Sequence, residues 1–324
     1  MYLNSTKLLM TNTMMIGVIM TICSNSWISM WMGLEMSMLS FIPLMSNKNN
    51  LSSESLIKYF IMQSVASTMF LFSVIIMLVG VNMKNEMIMT TSMLIKLGSA
   101  PFHNWVIMII EPMSYTSMMI LLTVLKAPPL SILYQINTNM ILIPIYMGMI
   151  VSAIMCLNQS SIKKIIGYSS IYNISLMMIT INKINITLTF LIIYSTMLML
   201  IIYFLKSLKL NFINQINISK YNFWIKMNLW INMLSMGGFP PLNGFILKMM
   251  VIQMLIFSDG LFLLLILMLT SMLVMMFYMR LAYTSMISNT SSFKWMKNDT
   301  KTNYFSMIIN LMLTPFMMSI SSIS

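Results

Sequence analysis

The chain has 324 residues, 59% of them hydrophobic and 7% charged, with 46 methionines, two cysteines and one histidine. A soluble domain carries about 25% charged residues, and a folded surface this poor in charge would expose apolar patches large enough to aggregate, which excludes a soluble globular enzyme. The net charge of +12 comes from 18 Lys+Arg against 6 Asp+Glu. These basic residues are scattered between apolar runs without an aromatic-interleaved patch, which speaks against a nucleic-acid partner.

Taken in chain order, apolar windows bounded by polar, Pro or Gly punctuation predict eleven membrane-spanning helices: 7–24, 27–45, 55–82, 87–110, 114–136, 139–157, 162–181, 186–208, 226–257, 260–285 and 304–322. The fold class is therefore an all-α polytopic membrane protein in one transmembrane domain. The run Leu8 to Ile22 reads as a retained first span: no small-residue cleavage site follows it, and Ser24-Asn25-Ser26-Trp27 leads at once into the second. The gap from Lys206 to Lys226 reads as an amphipathic connector along the membrane surface or as a plain loop. Heavy use of Lys, Met, Ile and Asn is the mark of an AT-rich coding sequence, as in many animal mitochondrial genomes. Cys23 and Cys156 sit in no CxxC and near no histidine, so no iron–sulfur, haem or zinc site is expected.

If the spans alternate, thirteen basic residues (Lys7, Lys48, Lys58, Lys163, Lys164, Lys206, Lys209, Lys220, Lys226, Arg280, Lys294, Lys297 and Lys301) fall on the face of the N-terminus, against Lys84 and Lys183 on the other. The asymmetry predicts an N-terminus on the matrix or cytoplasmic side and a C-terminus opposite. The remaining Lys96, Lys126 and Lys248 fall inside spans, as does Glu35. Each lysine at mid-bilayer costs about 2.5 to 3.5 kcal/mol on insertion scales, so these four must face one another or water. Burial makes a lysine easier to deprotonate and a glutamate easier to protonate, and pairing does the reverse. Such a row can form a proton relay of electrostatically coupled sites; the alternative is a set of static ion pairs that fix helix register.

Two of the lysines stand beside helix breakers. Lys96 precedes Gly98 and Pro101, and Lys248 follows Gly237, Gly238, Pro240 and Pro241. Both spans should be discontinuous, which is tolerated at depth only where protein or a water-filled cavity satisfies the freed backbone groups. Spans four and nine are five apart, consistent with two five-helix repeats, about 7–136 and 139–285, and a final helix at about 304–322. Because five is odd, the second repeat would be inverted.

Several segments stand in a specific order: Trp31-Met32-Gly33-Leu34-Glu35, Leu39-Ser40-Phe41-Ile42-Pro43-Leu44, Lys58-Tyr59-Phe60, Lys96-Leu97-Gly98-Ser99-Ala100-Pro101-Phe102-His103, Leu157-Asn158-Gln159 with Ser169-Ser170-Ile171, and Gly237-Gly238-Phe239-Pro240-Pro241-Leu242. At these segments the chain resembles the antiporter-like membrane subunits of mitochondrial NADH:ubiquinone oxidoreductase, respiratory complex I, in insect or other arthropod versions. The resemblance implies an antiporter-like fold, in which animal members lack three N-terminal helices of the bacterial subunit. It also implies that Glu35 pairs with Lys96, that Lys126 is a central connecting lysine, and that Lys248 ends the path. NADH, FMN, iron–sulfur clusters and ubiquinone would serve elsewhere in the complex, with no cofactor and no metal on this chain. Its partners would be other membrane-arm and accessory subunits and inner-membrane lipids, cardiolipin among the candidates, in the mitochondrial inner membrane. Where relatives commonly carry His after Ser-Ser-Ile-X, this chain has Tyr172-Asn173, so Asn or water would have to bridge there.

His103, the only histidine, is either a structural residue beside the first break or a proton-entry group. Lys58, four after Glu54, is either an i,i+4 surface pair or a second-tier site residue. Two other functions compete with a complex I subunit. A free-standing cation/proton antiporter would share the relay, although Glu35 is the only carboxylate at depth and hard cations need oxygen ligands. A structural scaffold would use the same charges only to hold helices in register.

Overall fold

A computed structural model describes residues 5–46, 50–80, 85–136, 139–218 and 223–287. The predicted last span at 304–322 lies outside them, as do Lys48, Lys84, Lys220, Lys294, Lys297 and Lys301. The described chain is helical: α1 Ser5–Cys23, α2 Trp27–Met45, α3 Asn50–Val79, α4 Asn85–Leu97, α5 Asn104–Ile110, α6 Tyr115–Leu122, α7 Ala127–Ile136, α8 Leu142–Leu157, α9 Ile162–Ile179, α10 Ile184–Leu208, α11 Ile213–Ile218, α12 Phe223–Gly237, α13 Asn243–Phe257 and α14 Leu261–Ile287.

Six helical segments among the described residues are long and apolar enough to cross a membrane: α1, α2, α3, Tyr115–Ile136, α10 and Leu261–Thr284. They keep large apolar side chains on the outside, Phe72 at 58% and Met276 at 67% exposure for example, as a surface against lipid requires. Inside helices, hydroxyls bond back to their own backbone, as Thr21 does to Val18 O (2.7 Å) and Ser37 to Leu34 O (2.8 Å), so no solvent is needed to satisfy them.

Three of the predicted helix windows are interrupted, two where the sequence predicts it and one where it does not. Spans four and nine are each split, α4 from α5 and α12 from α13, at the glycines and prolines that predicted it. Over 114–136 the helix is also interrupted, by a 3-10 turn at Val124–Lys126. There Pro128 and Pro129 remove two successive amide donors, and the tighter i→i+3 bonding fills in, with Lys126 N donating to Thr123 O at 3.2 Å. The connector after Lys206 contains the short α11, preceded by a bridge between Phe212 and Ser161, with Gln215 Oε1 accepting from Asn211 N at 2.7 Å.

The chain divides into two compact units. The first takes the described residues up to Gly148 together with Asn173–Ile184. In it α1 and α2 cross at very close range. A Cβ on Gly17 would come within 2.8 Å of Ser37 N, and one on Gly33 within 2.6 Å of Thr21 Cγ2. This is the small-xxx-small packing by which membrane helices approach without a hydrophobic driving force. α3 packs on α4 and α5, and α4 on α7. The second unit takes Met149–Tyr172 and the described residues from Asn185 on. There α12 packs on α13 and α14, and Gly244 of α13 lies so close to the Ser235 carbonyl that a Cβ would overlap it.

Candidate functional site

The first break is a helix end with a specific geometry. Gly98 takes a left-handed φ of +63°, its N–H bonds Ile95 O (3.0 Å), and the Ser99 N–H reaches back to Leu94 O (3.2 Å). That pair of bonds is a Schellman end, in which Leu97 is the C-cap residue and glycine supplies the left-handed step. Glycine is required sterically as well, because a Cβ at Gly98 would run into Val106 and come within 3.1 Å of the Trp105 ring. Pro101 then carries the chain to α5 through a cis Ala100–Pro101 peptide.

A helix C-terminus carries orphan carbonyls and a partial negative charge. Here three successive carbonyls are taken by side chains from three other elements. Trp105 Nε1 donates to Ile95 O (3.1 Å), Gln63 Nε2 to Lys96 O (3.5 Å), and the Lys126 ammonium to Leu97 O. Lys126 also stands 5.8 Å from the Trp105 ring centroid, a cation–π arrangement. The 3-10 turn ahead of Pro128 ends at Lys126 and so helps to position it.

Lys96, Lys126, Tyr59, Gln63, Ser37 and Trp105 line one cavity of about 20 Å³, together with apolar side chains including Leu34, Leu121 and Leu125. That is room for about one water molecule. Lys96 and Lys126 are 5% and 3% exposed, so the structure brings these two sequence-predicted lysines together around a polar space. Glu35 is half-buried on α2. It makes no direct ion pair with Lys96 among the described residues.

The second break repeats the same end. Gly238 has φ +77°, its N–H bonds Ser235 O (3.1 Å), and the Phe239 N–H bonds Leu234 O (3.2 Å), so Gly237 is the C-cap residue. Lys248 Nζ donates to Gly237 O at 2.6 Å. Thus each broken helix places a lysine ammonium on its C-cap carbonyl. Pro240 and Pro241 are exposed and act through the backbone they interrupt.

The second-tier residues stand apart. His103 has Nδ1 3.2 Å from the Pro101 carbonyl and does not line the cavity. Lys58 pairs with Glu54 at 2.5 Å on the surface, beside a groove of about 360 Å³ that Glu111 and Met108 also line. Among the described residues no cluster of three or more His, Cys, Asp or Glu could hold a metal ion. Sequence reasoning missed Tyr59, Gln63 and Trp105, whose apolar or neutral character gave no charge signal. It also missed the burial of Lys226, 8% exposed at the start of α12.

Residues 24–274 match the protein family described as NADH:quinone oxidoreductase/Mrp antiporter, transmembrane. The NADH-ubiquinone oxidoreductase chain 2 of Anopheles gambiae is 37% identical over 304 residues, covering 90% of this chain and 89% of the relative. The chain belongs to the NADH-ubiquinone oxidoreductase chain 2 family. The chain 2 protein of Locusta migratoria is likewise 37% identical, over 91% of this chain and 90% of its own. Among solved structures, a chain of respiratory complex I from Thermus thermophilus is similar with a TM-score of 0.81 at 17% identity, over 96% of this chain and 77% of that one. This likeness concerns the fold: the two breaks of this chain 2 family member are set in an antiporter-like architecture.

Proposed function

We propose that the chain is a membrane-arm subunit of the proton-pumping NADH:ubiquinone oxidoreductase, and that Glu35, Lys96, Lys126 and Lys248 are its proton-relay sites. The observation that carries this reading is the lysine on the C-cap carbonyl of each broken helix. An ammonium there is attracted by the negative end of the half-helix, and an arriving or departing neighbouring charge shifts the balance. A proton can therefore be held and released without a cofactor at the site. In the first unit the water-sized cavity shared by Lys96 and Lys126 offers a bridge for the proton between them.

Electrons would pass from NADH to ubiquinone elsewhere in the complex, with this subunit responding through charge. The finer reading is eleven spans in two inverted five-helix repeats. It includes other membrane-arm and accessory subunits as partners, contacts with inner-membrane lipids including cardiolipin, and a place in the mitochondrial inner membrane. The thirteen-to-two division of basic residues supports an N-terminus in the matrix and a C-terminus in the intermembrane space.

The test is Lys96→Met and Lys248→Met in the assembled complex, measuring protons moved per electron. Loss of pumping with assembly and electron transfer retained is expected; unchanged pumping would reduce the buried charges to a scaffold. Cation-dependent proton exchange by the chain alone in proteoliposomes would favour the antiporter function.

A further inference from the structure

A buried polar stripe leads to the second break. Asn228, Asn232 and Ser235 of α12 are spaced i, i+4 and i+7, which places them within about 60° of one another around the helix, and they are 0%, 1% and 1% exposed. Asn232 Nδ2 lies 2.9 Å from Asn228 O and 3.2 Å from Asn228 Oδ1, and Ser235 Oγ donates to Asn232 O at 2.7 Å. Ser235 O in turn accepts the Gly238 N–H, and two residues after Ser235 the Gly237 carbonyl receives Lys248. From Asn228 to Gly237 is about 14 Å along a helix axis, close to half of a roughly 30 Å hydrocarbon core.

A further buried polar atom borders the end of the stripe. Asn243 is 1% exposed, and its Oδ1 has no hydrogen-bond partner. Its neighbour Gly244 lies directly against the Ser235 carbonyl, which sets Asn243 across the break from Ser235. An unsatisfied buried acceptor beside a ladder of amides and a hydroxyl is a group that a water molecule can satisfy.

We infer that Asn228, Asn232 and Ser235 form the proton access path to Lys248 from the Phe223 end of α12. The inference rests on the reading of Lys248 as a proton site. The amides do not titrate; they orient a file of water, and the Ser235 hydroxyl both donates and accepts. A proton released by the Lys248 ammonium passes to that water and leaves toward the Phe223 end, or arrives by the same route in reverse.

The test compares Asn232→Leu, which keeps the branched shape of the side chain and removes its polarity, with Asn232→Ser, which loses volume and keeps a polar group. In the assembled complex in vesicles, the path predicts loss of proton pumping per electron for Asn232→Leu and retention for Asn232→Ser. A packing role predicts the opposite order in assembly yield. Ser235→Ala removes one hydroxyl without disturbing packing and should lower the proton-to-electron ratio, so the path stays testable if Asn232→Leu fails to assemble. Normal pumping in Ser235→Ala and in any assembled Asn232→Leu overturns the inference. If Lys248→Met abolishes pumping while the stripe variants pump normally, only the access path fails; if Lys248→Met itself pumps normally, the relay fails.

Discussion

The two breaks reach one local chemistry by different routes. At the first, the ammonium on the C-cap carbonyl comes from Lys126, 29 residues along the chain, and Trp105 and Gln63 cover the two preceding carbonyls. At the second, Lys248 is only 11 residues beyond Gly237, in the helix that follows the break, and its chain lies across Gly238. What the two have in common is a Schellman end with a lysine on it, not a lysine at one repeat position. They differ in support: the first is crowded with aromatic and amide side chains, while the second depends on a glycine leaving room.

The largest expected effect separates proton chemistry from hydrogen bonding. Lys126→Arg and Lys248→Arg keep a donor for the C-cap carbonyl but carry a charge that is not given up. Pumping per electron should be lost in both variants with the complex assembled; rescue by Arg would mean that the lysines only cap helices. Next, Gly98→Ala and Gly238→Ala should part company. Both force a side chain into a left-handed step costing about 1 kcal/mol, but at Gly98 the new methyl also meets Val106 and the Trp105 ring, an overpacking cost of about 1–3 kcal/mol. At Gly238 it meets the flexible end of Lys248, 2.6 Å from its Cε. Thermal stability should fall more in Gly98→Ala, while Gly238→Ala should displace Lys248 and show chiefly in pumping. Equal stability losses would contradict the contrast.

Trp105→Phe removes the donor to Ile95 O and weakens the ring beneath Lys126, a loss of about 1 kcal/mol to be seen as faster hydrogen exchange at the end of α4. Gln63→Leu is the smallest change. Its 3.5 Å bond to Lys96 O is long, and interhelical polar contacts in membranes average about 0.6 kcal/mol, so assembly should be unchanged and stability lowered by no more than that.

Much of this was legible in the sequence because it is written in breakers and charges. Gly98 with Pro101, and Gly237-Gly238 with Pro240-Pro241, announce broken helices, and Lys96, Lys126 and Lys248 announce themselves by standing inside apolar runs. The Lys126 bond to Leu97 O joins residues far apart in sequence, and no periodicity points to it. Trp105 and Gln63 carry no charge that would single them out until their partner carbonyls are known. Lys226 counts toward a membrane face by its place between apolar runs, yet it is buried, because hydropathy sets depth and not which side of a helix meets protein. The Asn228, Asn232 and Ser235 spacing was visible, but neutral polar residues carry too small an insertion penalty to stand out beside lysine.

The crossing of α1 and α2 at Gly17 and Gly33 bears on how the gene can change. Glycine codons begin with two guanines, so any AT-ward substitution at either position puts a side chain where none stood. Where a Cβ would strike backbone, as at Gly17, Gly33 and Gly244, such a change cannot be absorbed by a neighbour turning aside. In a coding sequence drifting toward A and T, these contacts set a steric floor beneath the mutational bias, and Gly17, Gly33 and Gly244 mark where membrane helices touch.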